Sequence, residues 1–255
     1  MLTTNSYGTV TAQPPLLIVH GLFGAARNWG AMARRLADRS LVLVPDLRNH
    51  GDSPWLGSQS YADMAGDLAE LVARHGAMDV LGHSMGGKAA MLLALTQPDL
   101  VGRLIVADIA PVAYRHSHLP HIAAMRGLDI AALSARAEAD RRLAVQLPDP
   151  GIRAFLLQSL DLKSDPHRWR LNLDVLERDM GLITGWPDVS GQYPGPTLFL
   201  SGALSDYVQP GHRPAIKALF PAARFAKIPD AGHWLHADQP HAFEATIRGF
   251  FSPPP

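Results

Sequence analysis

The stretch "VLGHSMGGKAAM", Val80 to Met91, decides the fold and admits two chemistries. Gly82, Ser84 and Gly86 spell G-x-S-x-G, the strand-to-helix turn that presents a nucleophilic serine. Gly82, Gly87 and Lys88 also satisfy most of G-x-x-x-x-G-K, a phosphate-cradling loop. The phosphate reading fails one residue later, because Ala89 stands where a Ser or Thr must hold Mg²⁺. The serine reading fits its surroundings. An apolar run leads straight into Gly82, and "MGGKAAMLLALTQ" leaves as a good helix. Gly82, Gly86 and Gly87 leave room where the backbone folds too tightly for a Cβ.

Outward from this turn, short apolar runs alternate with helical patterns. Leu16–Gly21, Leu41–Leu47, Met78–Ser84, Arg103–Ile109 and Thr197–Ala203 read as buried strands, with a weaker sixth over Ala222–Pro229. Continuous apolar runs predict a parallel sheet covered on both faces. In "YADMAGDLAELVARHG", Met64, Leu68, Leu71 and Val72 fall on one helical face, and Gly76 closes the helix. The expectation is a doubly wound, mostly parallel α/β sheet. From Tyr114 to Pro196 no strand is expected and helical patterns dominate, among them "DIAALSARAEADRRLAVQL", "GIRAFLLQSL" and "DPHRWRLNLDVLERDM". Residues 114–196 are therefore read as a helical cap inserted in a core formed by residues 1–113 and 197–255. The alternative is a long set of crossover helices. The tail "SPPP" is expected to be disordered.

The bulk numbers narrow the function. Twenty-three basic and 23 acidic side chains cancel in 255 residues, so no global field draws in nucleic acid or an anionic membrane. With no cysteine, disulfides, thiolate metal sites and cysteine nucleophiles are excluded. The first residues show no secretory signal, and no apolar run is long enough to cross a bilayer, so a cytoplasmic location is expected.

A nucleophilic serine needs a base. His233 in "PDAGHWLH" follows the weak last strand and precedes a final helix, at the edge of the sheet where Ser84 lies; His236 is the less favoured choice. Oxyanion donors are expected from the backbone of Met85 and, in "VHGLFGAARNW", of Leu22 or Phe23. The imidazole of His20 can be simple packing there.

The segments "HGLFGAARNW", "PDLRNHGDSP", "GHSMGG" and "AGHWLH", in this order and spacing, resemble the α/β-hydrolase superfamily over about Leu16–Phe251. Within it the chain is similar to small bacterial and mitochondrial carboxylesterases with a helical cap. The resemblance implies the order nucleophile, acid, histidine, hence Ser84, an acid, and His233. Such proteins usually carry the acid in G-x-x-D-x-x-V; in "GALSDYV" that place is Ser205, and Asp206 comes one residue late. The superfamily's other location, the end of the strand before the cap, is Asp108, which is preferred on spacing. Asp46, Arg48 and Asp52 are expected to brace a turn. His116, His118 and His121 are expected to be exposed, without a metal.

The expected activity is hydrolysis of carboxylic esters of small to medium acyl chains through an acyl-enzyme, without a cofactor. Phe23 and Trp169 are expected to touch substrate. Leu156, Leu157 and Leu173 either line the pocket with them or are ordinary helix packing. Thioester or carbon–carbon bond cleavage on the same residues is an alternative, and a low-turnover ligand receptor is another. Oligomeric state is not legible.

Overall fold

The computed structural model describes residues 1–252, so the prolines of the tail expected to be disordered lie outside the described residues. Nine strands form in chain order: β1 (Thr4–Tyr7), β2 (Leu16–Val19), β3 (Val42–Pro45), β4 (Met78–His83), β5 (Val101–Ala107), β6 (Leu160–Asp161), β7 (Arg168–Trp169), β8 (Thr197–Gly202) and β9 (Ala223–Ile228). Seven of them make one sheet in the order β1-β3-β2-β4-β5-β8-β9. β1 runs antiparallel to β3, and every other neighbouring pair is parallel. All six expected strands are present. β1 went unread because "TNSY" is a polar edge strand, only half-buried, with no apolar signature.

Every residue of β2, β3, β4 and β8 is buried, as a sheet covered on both faces requires. Leu17 and Val19 of β2 enter one core with Met64, Leu68 and Met91 from the helices Tyr61–Ala73 and Met85–Thr96. Leu16 and Ile18 enter the other, with Trp29, Leu36, Phe243 and Phe251. Each such leucine or isoleucine contributes about 1.5–3 kcal/mol relative to exposure. Chain order reverses between β2 and β4, where β2 continues to β3 on one side and β4 to β5 on the other. The loops after β2 and β4 therefore part above a crevice, the place where open α/β sheets bind ligands.

Between β5 and β8 lie the helices Leu119–Gly127, Arg136–Leu143, Pro150–Leu156, Leu173–Arg178 and Met180–Thr184. The expectation of no strand there is corrected: β6 and β7 pair antiparallel, Leu160 with Trp169 and Asp161 with Arg168. Two expected helices are also shorter. In "DPHRWRLNLDVLERDM" the helix begins only at Leu173, where the Asn172 side chain caps it, and in Asp129–Leu147 it covers Arg136–Leu143. The inserted segment docks on the loop after β3. Gly51 N–H donates to the Arg170 carbonyl (2.8 Å), Asn172 N–H to the Asn49 carbonyl (3.0 Å), and Gln59 N–H to Asp179 (2.8 Å).

Candidate active site

Ser84 sits at φ 52°, ψ −123°, between β4 and the helix Met85–Thr96. Non-glycine residues rarely hold this conformation, which costs on the order of 1–3 kcal/mol. The surroundings fix it. Ser84 N–H donates to the Ala107 carbonyl of β5 (3.0 Å), and Lys88 N–H closes the first helical turn on the Ser84 carbonyl (3.1 Å). A Cβ on Gly86 would lie 2.3 Å from the His20 carbonyl, and one on Gly82 would lie 2.4 Å from the Gly86 carbonyl. Only glycine lets the turn at Ser84 press against the loop after β2.

Asp108 follows β5, also at positive φ (52°), and is fully buried. His233 reaches over from the loop after β9. Its Nδ1 lies 2.7 Å from Asp108 Oδ2 and its Nε2 3.0 Å from Ser84 Oγ. A carboxylate only accepts, so Nδ1 carries the proton and Nε2 is free to accept from the serine. The Asp108 carboxylate also accepts from Gly202 N–H (3.2 Å) and from the Ser205 hydroxyl. Asp206, the competing candidate, is exposed; Ser205, standing where the acid was expected, hydrogen-bonds to Asp108 instead.

The backbone N–H groups of Leu22 and Met85 have no hydrogen-bond partner among the described residues. Phe23 N–H, the other candidate, donates to His50 Nε2 (3.2 Å), and Phe23 is held at φ 62°. His50 Nδ1–H in turn donates to the Arg48 carbonyl (2.9 Å). His20 is packing: Nδ1–H donates to the Gly21 carbonyl (2.8 Å), and Nε2 accepts from Leu47 N–H (2.9 Å). Burial pushes His20 down to about 4 and His50 down to about 3, so both are neutral hydrogen-bonding fixtures. Asp46, Arg48 and Asp52 brace the turn. Asp46 accepts from Ala26 and Asp52 N–H, Arg48 pairs with Asp67, and Asp52 also pairs with Arg170 of the inserted segment.

Ser84 opens into a cavity of ≈ 270 Å³, with Ser84 and His233 on its wall. Phe23 lines it, as expected, and so does Leu156. Trp169 does not. That expectation is corrected: its indole N–H donates to the Met125 carbonyl (3.1 Å) and the ring is buried inside the inserted segment. Leu157 and Leu173 lie outside the wall as well. The histidines expected on the surface divide. His116 is exposed, whereas His118 and His121 are half-buried on the cavity wall beside Phe23. Among the described residues no group of three His, Cys, Asp or Glu side chains could hold a metal.

Sequence reading missed Tyr207, whose ring stacks on His233 (centroids 4.0 Å apart, planes 19° apart), as well as Ile152, Phe155, Trp234 and His236 on the wall. "GALSDYV" carried a usable signal in its aromatic, but nothing local places it against a histidine 26 positions on. The phosphate-loop residue Lys88 is turned to other use, its ammonium held by three backbone carbonyls. The arrangement can move a proton from a serine to an imidazole whose cationic form faces a buried carboxylate. It also offers two free N–H groups beside the serine.

Comparison with known proteins agrees with this geometry. Residues 14–240 match the family described as alpha/beta hydrolase fold. The chain is 43% identical over 249 residues to the sn-1-specific diacylglycerol lipase ABHD11 of Mus musculus, covering 94% of this chain and 81% of that one. It is 35% identical to the esterase YbfF of Escherichia coli, covering 93% of each. A solved structure of a marine microorganism esterase superposes with a TM-score of 0.93 at 38% identity, covering 98% of both chains. The strained serine, the sheet that carries it and these relatives lead to one assignment: the chain belongs to the α/β-hydrolase family.

Proposed function

We propose that this protein hydrolyses carboxylic esters through an acyl-enzyme on Ser84. Ser84 Oγ attacks the ester carbonyl while His233 Nε2 takes its proton, and Asp108 holds the imidazole in the useful tautomer and stabilises its cation. Leu22 and Met85 N–H groups receive the oxyanion, an interaction worth roughly 3–4 kcal/mol per donor in a comparable site. His233 returns its proton to the leaving alcohol. Water then repeats the attack on the acyl-enzyme, giving the acid and free Ser84. The observation that carries the reading is the unbroken relay from Ser84 through His233 to Asp108, at 3.0 and 2.7 Å.

Residues 114–196 act in this reading as a cap, since Ile152, Phe155 and Leu156 from that segment close the cavity over Ser84. At ≈ 270 Å³ the cavity sits near the lower end of the ~300–1,000 Å³ common for small-molecule sites, which favours small to medium acyl chains. The substrate is a small molecule met in solution; no helix among the described residues is long and apolar enough to cross a membrane. A cytoplasmic location belongs to the same proposal, in keeping with a chain that needs no oxidising compartment for its folding.

The test is release of p-nitrophenol from acyl esters running from acetyl to dodecanoyl. A short-to-medium optimum is expected, and Ser84→Ala should lower kcat by about 10⁴-fold or more. A folded Ser84→Ala protein that keeps its turnover would sink the assignment. A diacylglycerol, the lipid in the mouse relative's name, is assayed beside this series as a bulkier ester, by the fatty acid it releases.

A further inference from the structure

Lys88 is the one feature of the opening motif that ester hydrolysis leaves unused. Its side chain is 1% exposed, one helical turn below Ser84. Nζ donates to the carbonyls of Val112 (2.9 Å), Thr184 (3.1 Å) and Gly185. The rings of Tyr114 and Tyr61 face the ammonium at 4.8 and 5.6 Å. Its hydrogen bonds among the described residues all go to carbonyls and none to a carboxylate, and burial pushes it down to about 7. A buried cation without a counter-ion is costly to keep. What it secures here is geometric, because an ammonium has three donors and all three are placed.

The three carbonyls belong to the two places where the chain crosses between sheet and inserted segment. Val112 lies on the way out, four residues past Asp108, and Thr184 and Gly185 end the last helix on the way back. Two further bonds converge on the returning strand of this neck. Tyr114 N–H donates to the Thr184 carbonyl (2.9 Å), and the Tyr61 hydroxyl donates to the Ile183 carbonyl. Lys88 is the only partner in this joint that sits on the helix beginning at Met85. It couples the nucleophile helix, the exit from the acid-bearing strand and the return from the segment that roofs the cavity.

We propose that Lys88 is a positioning residue that holds the inserted segment at its working distance from Ser84. Esters long enough to touch Ile152, Phe155 and Leu156 then depend on it, and short ones do not. The inference rests on Ser84 as the nucleophile. Loss of the ammonium frees the neck, so the segment no longer presses its apolar side chains onto a long acyl group. The Ser84–His233–Asp108 relay makes no contact with Nζ and persists.

The test measures kcat and KM for acetyl and octanoyl p-nitrophenyl esters in wild type, Lys88→Met and Ser84→Ala. For Lys88→Met, KM for the octanoyl ester should rise about tenfold while kcat/KM for the acetyl ester stays within about threefold. Equal losses for both esters, or no change for either, overturn the proposal. Turnover by Ser84→Ala would overturn the nucleophile assignment instead, so the two failures are distinct. If Lys88→Met does not fold, Tyr61→Phe carries the test. It removes one bond from the same neck and should show the same split, at about threefold; absence of that split overturns the proposal.

Discussion

The upper rim of the sheet and the segment between β5 and β8 are held by different physics. At the rim, Phe23, Ser84 and Asp108 each take positive φ, three of the five non-glycine residues that do so in the described chain. Each is locked by close backbone contact or a buried hydrogen bond, so the proposed reacting atoms are fixed to within hydrogen-bond distances. The inserted segment is made of short helices whose outer faces carry half-exposed ion pairs, such as Arg126 with Glu177 and Arg153 with Asp140. Pairs of this kind are worth roughly 0–1 kcal/mol. Its inner face supplies Ile152, Phe155 and Leu156 to the cavity. The rim defines points and the segment defines a volume. Rates should therefore answer steeply to changes at the rim, and selectivity mildly to changes in the segment.

The sharpest way to break this comparison is to exchange the two candidate acids. Asp108→Asn keeps the shape of a fully buried side chain but turns its bond to His233 to the wrong tautomer; a drop in kcat of about 10⁴ is expected. Asp206→Asn, exposed and without a bond to His233, should stay within about twofold. Parallel assays on the same ester decide it. Comparable losses from both variants would mean that the rim tolerates a displaced charge and does not define points at all.

What could be read from the sequence follows the same division. The turn at Ser84 was legible because its steric demand leaves glycines in the local sequence, whereas His233 was read from its place after the last strand, at the sheet edge where Ser84 lies. The preference for Asp108 over Asp206 came from spacing, and the structure puts Asp108 against the imidazole. Trp169 and Tyr207 were not legible. A tryptophan in a helical pattern carries no mark of whether it faces a cavity or its own helices, and only the fold directs it to the Met125 carbonyl. Likewise, β6 and β7 are two residues each, too short for any periodicity to register. The inserted helices were overextended because caps such as Asn172 act at single positions inside otherwise continuous helical patterns.

Acid should weaken the rim and, through His118, the inner face of the segment as well, since burial pushes that imidazole down to about 4 too. Burial pushes His20 and His236 down to about 4 and His50 down to about 3, from an ordinary value of 6.5. Above pH 6.5 these groups are neutral folded or unfolded, and stability is unaffected. As pH falls from 6.5 toward 4 the unfolded chain takes up protons that the folded one refuses, so stability is lost. The expected slope is about 1.4 kcal/mol per pH unit for each histidine. Urea unfolding between pH 7.5 and 4.5 measures it, and His50→Gln should lower the slope by one proton's worth. A flat stability across that window would contradict neutral, buried imidazoles under the site.

The smallest effects separate the two faces of the segment itself. Phe155 lines the cavity and packs on Trp234 (centroids 5.3 Å apart), while Trp169 points into the segment. Phe155→Ala removes apolar surface that a long acyl group would cover. KM for the octanoyl ester should rise about five- to tenfold, a scale of 1–1.5 kcal/mol, with the acetyl ester little changed. Trp169→Phe keeps most of the packing and deletes one hydrogen bond, which costs about 0.5–1.5 kcal/mol of stability. Chain-length profiles and urea midpoints on the two variants test the pair. Should Trp169→Phe alter the chain-length profile as much as Phe155→Ala, the acyl group would have to reach deeper than the cavity wall, and the segment would act as a binding surface throughout rather than as a single lining.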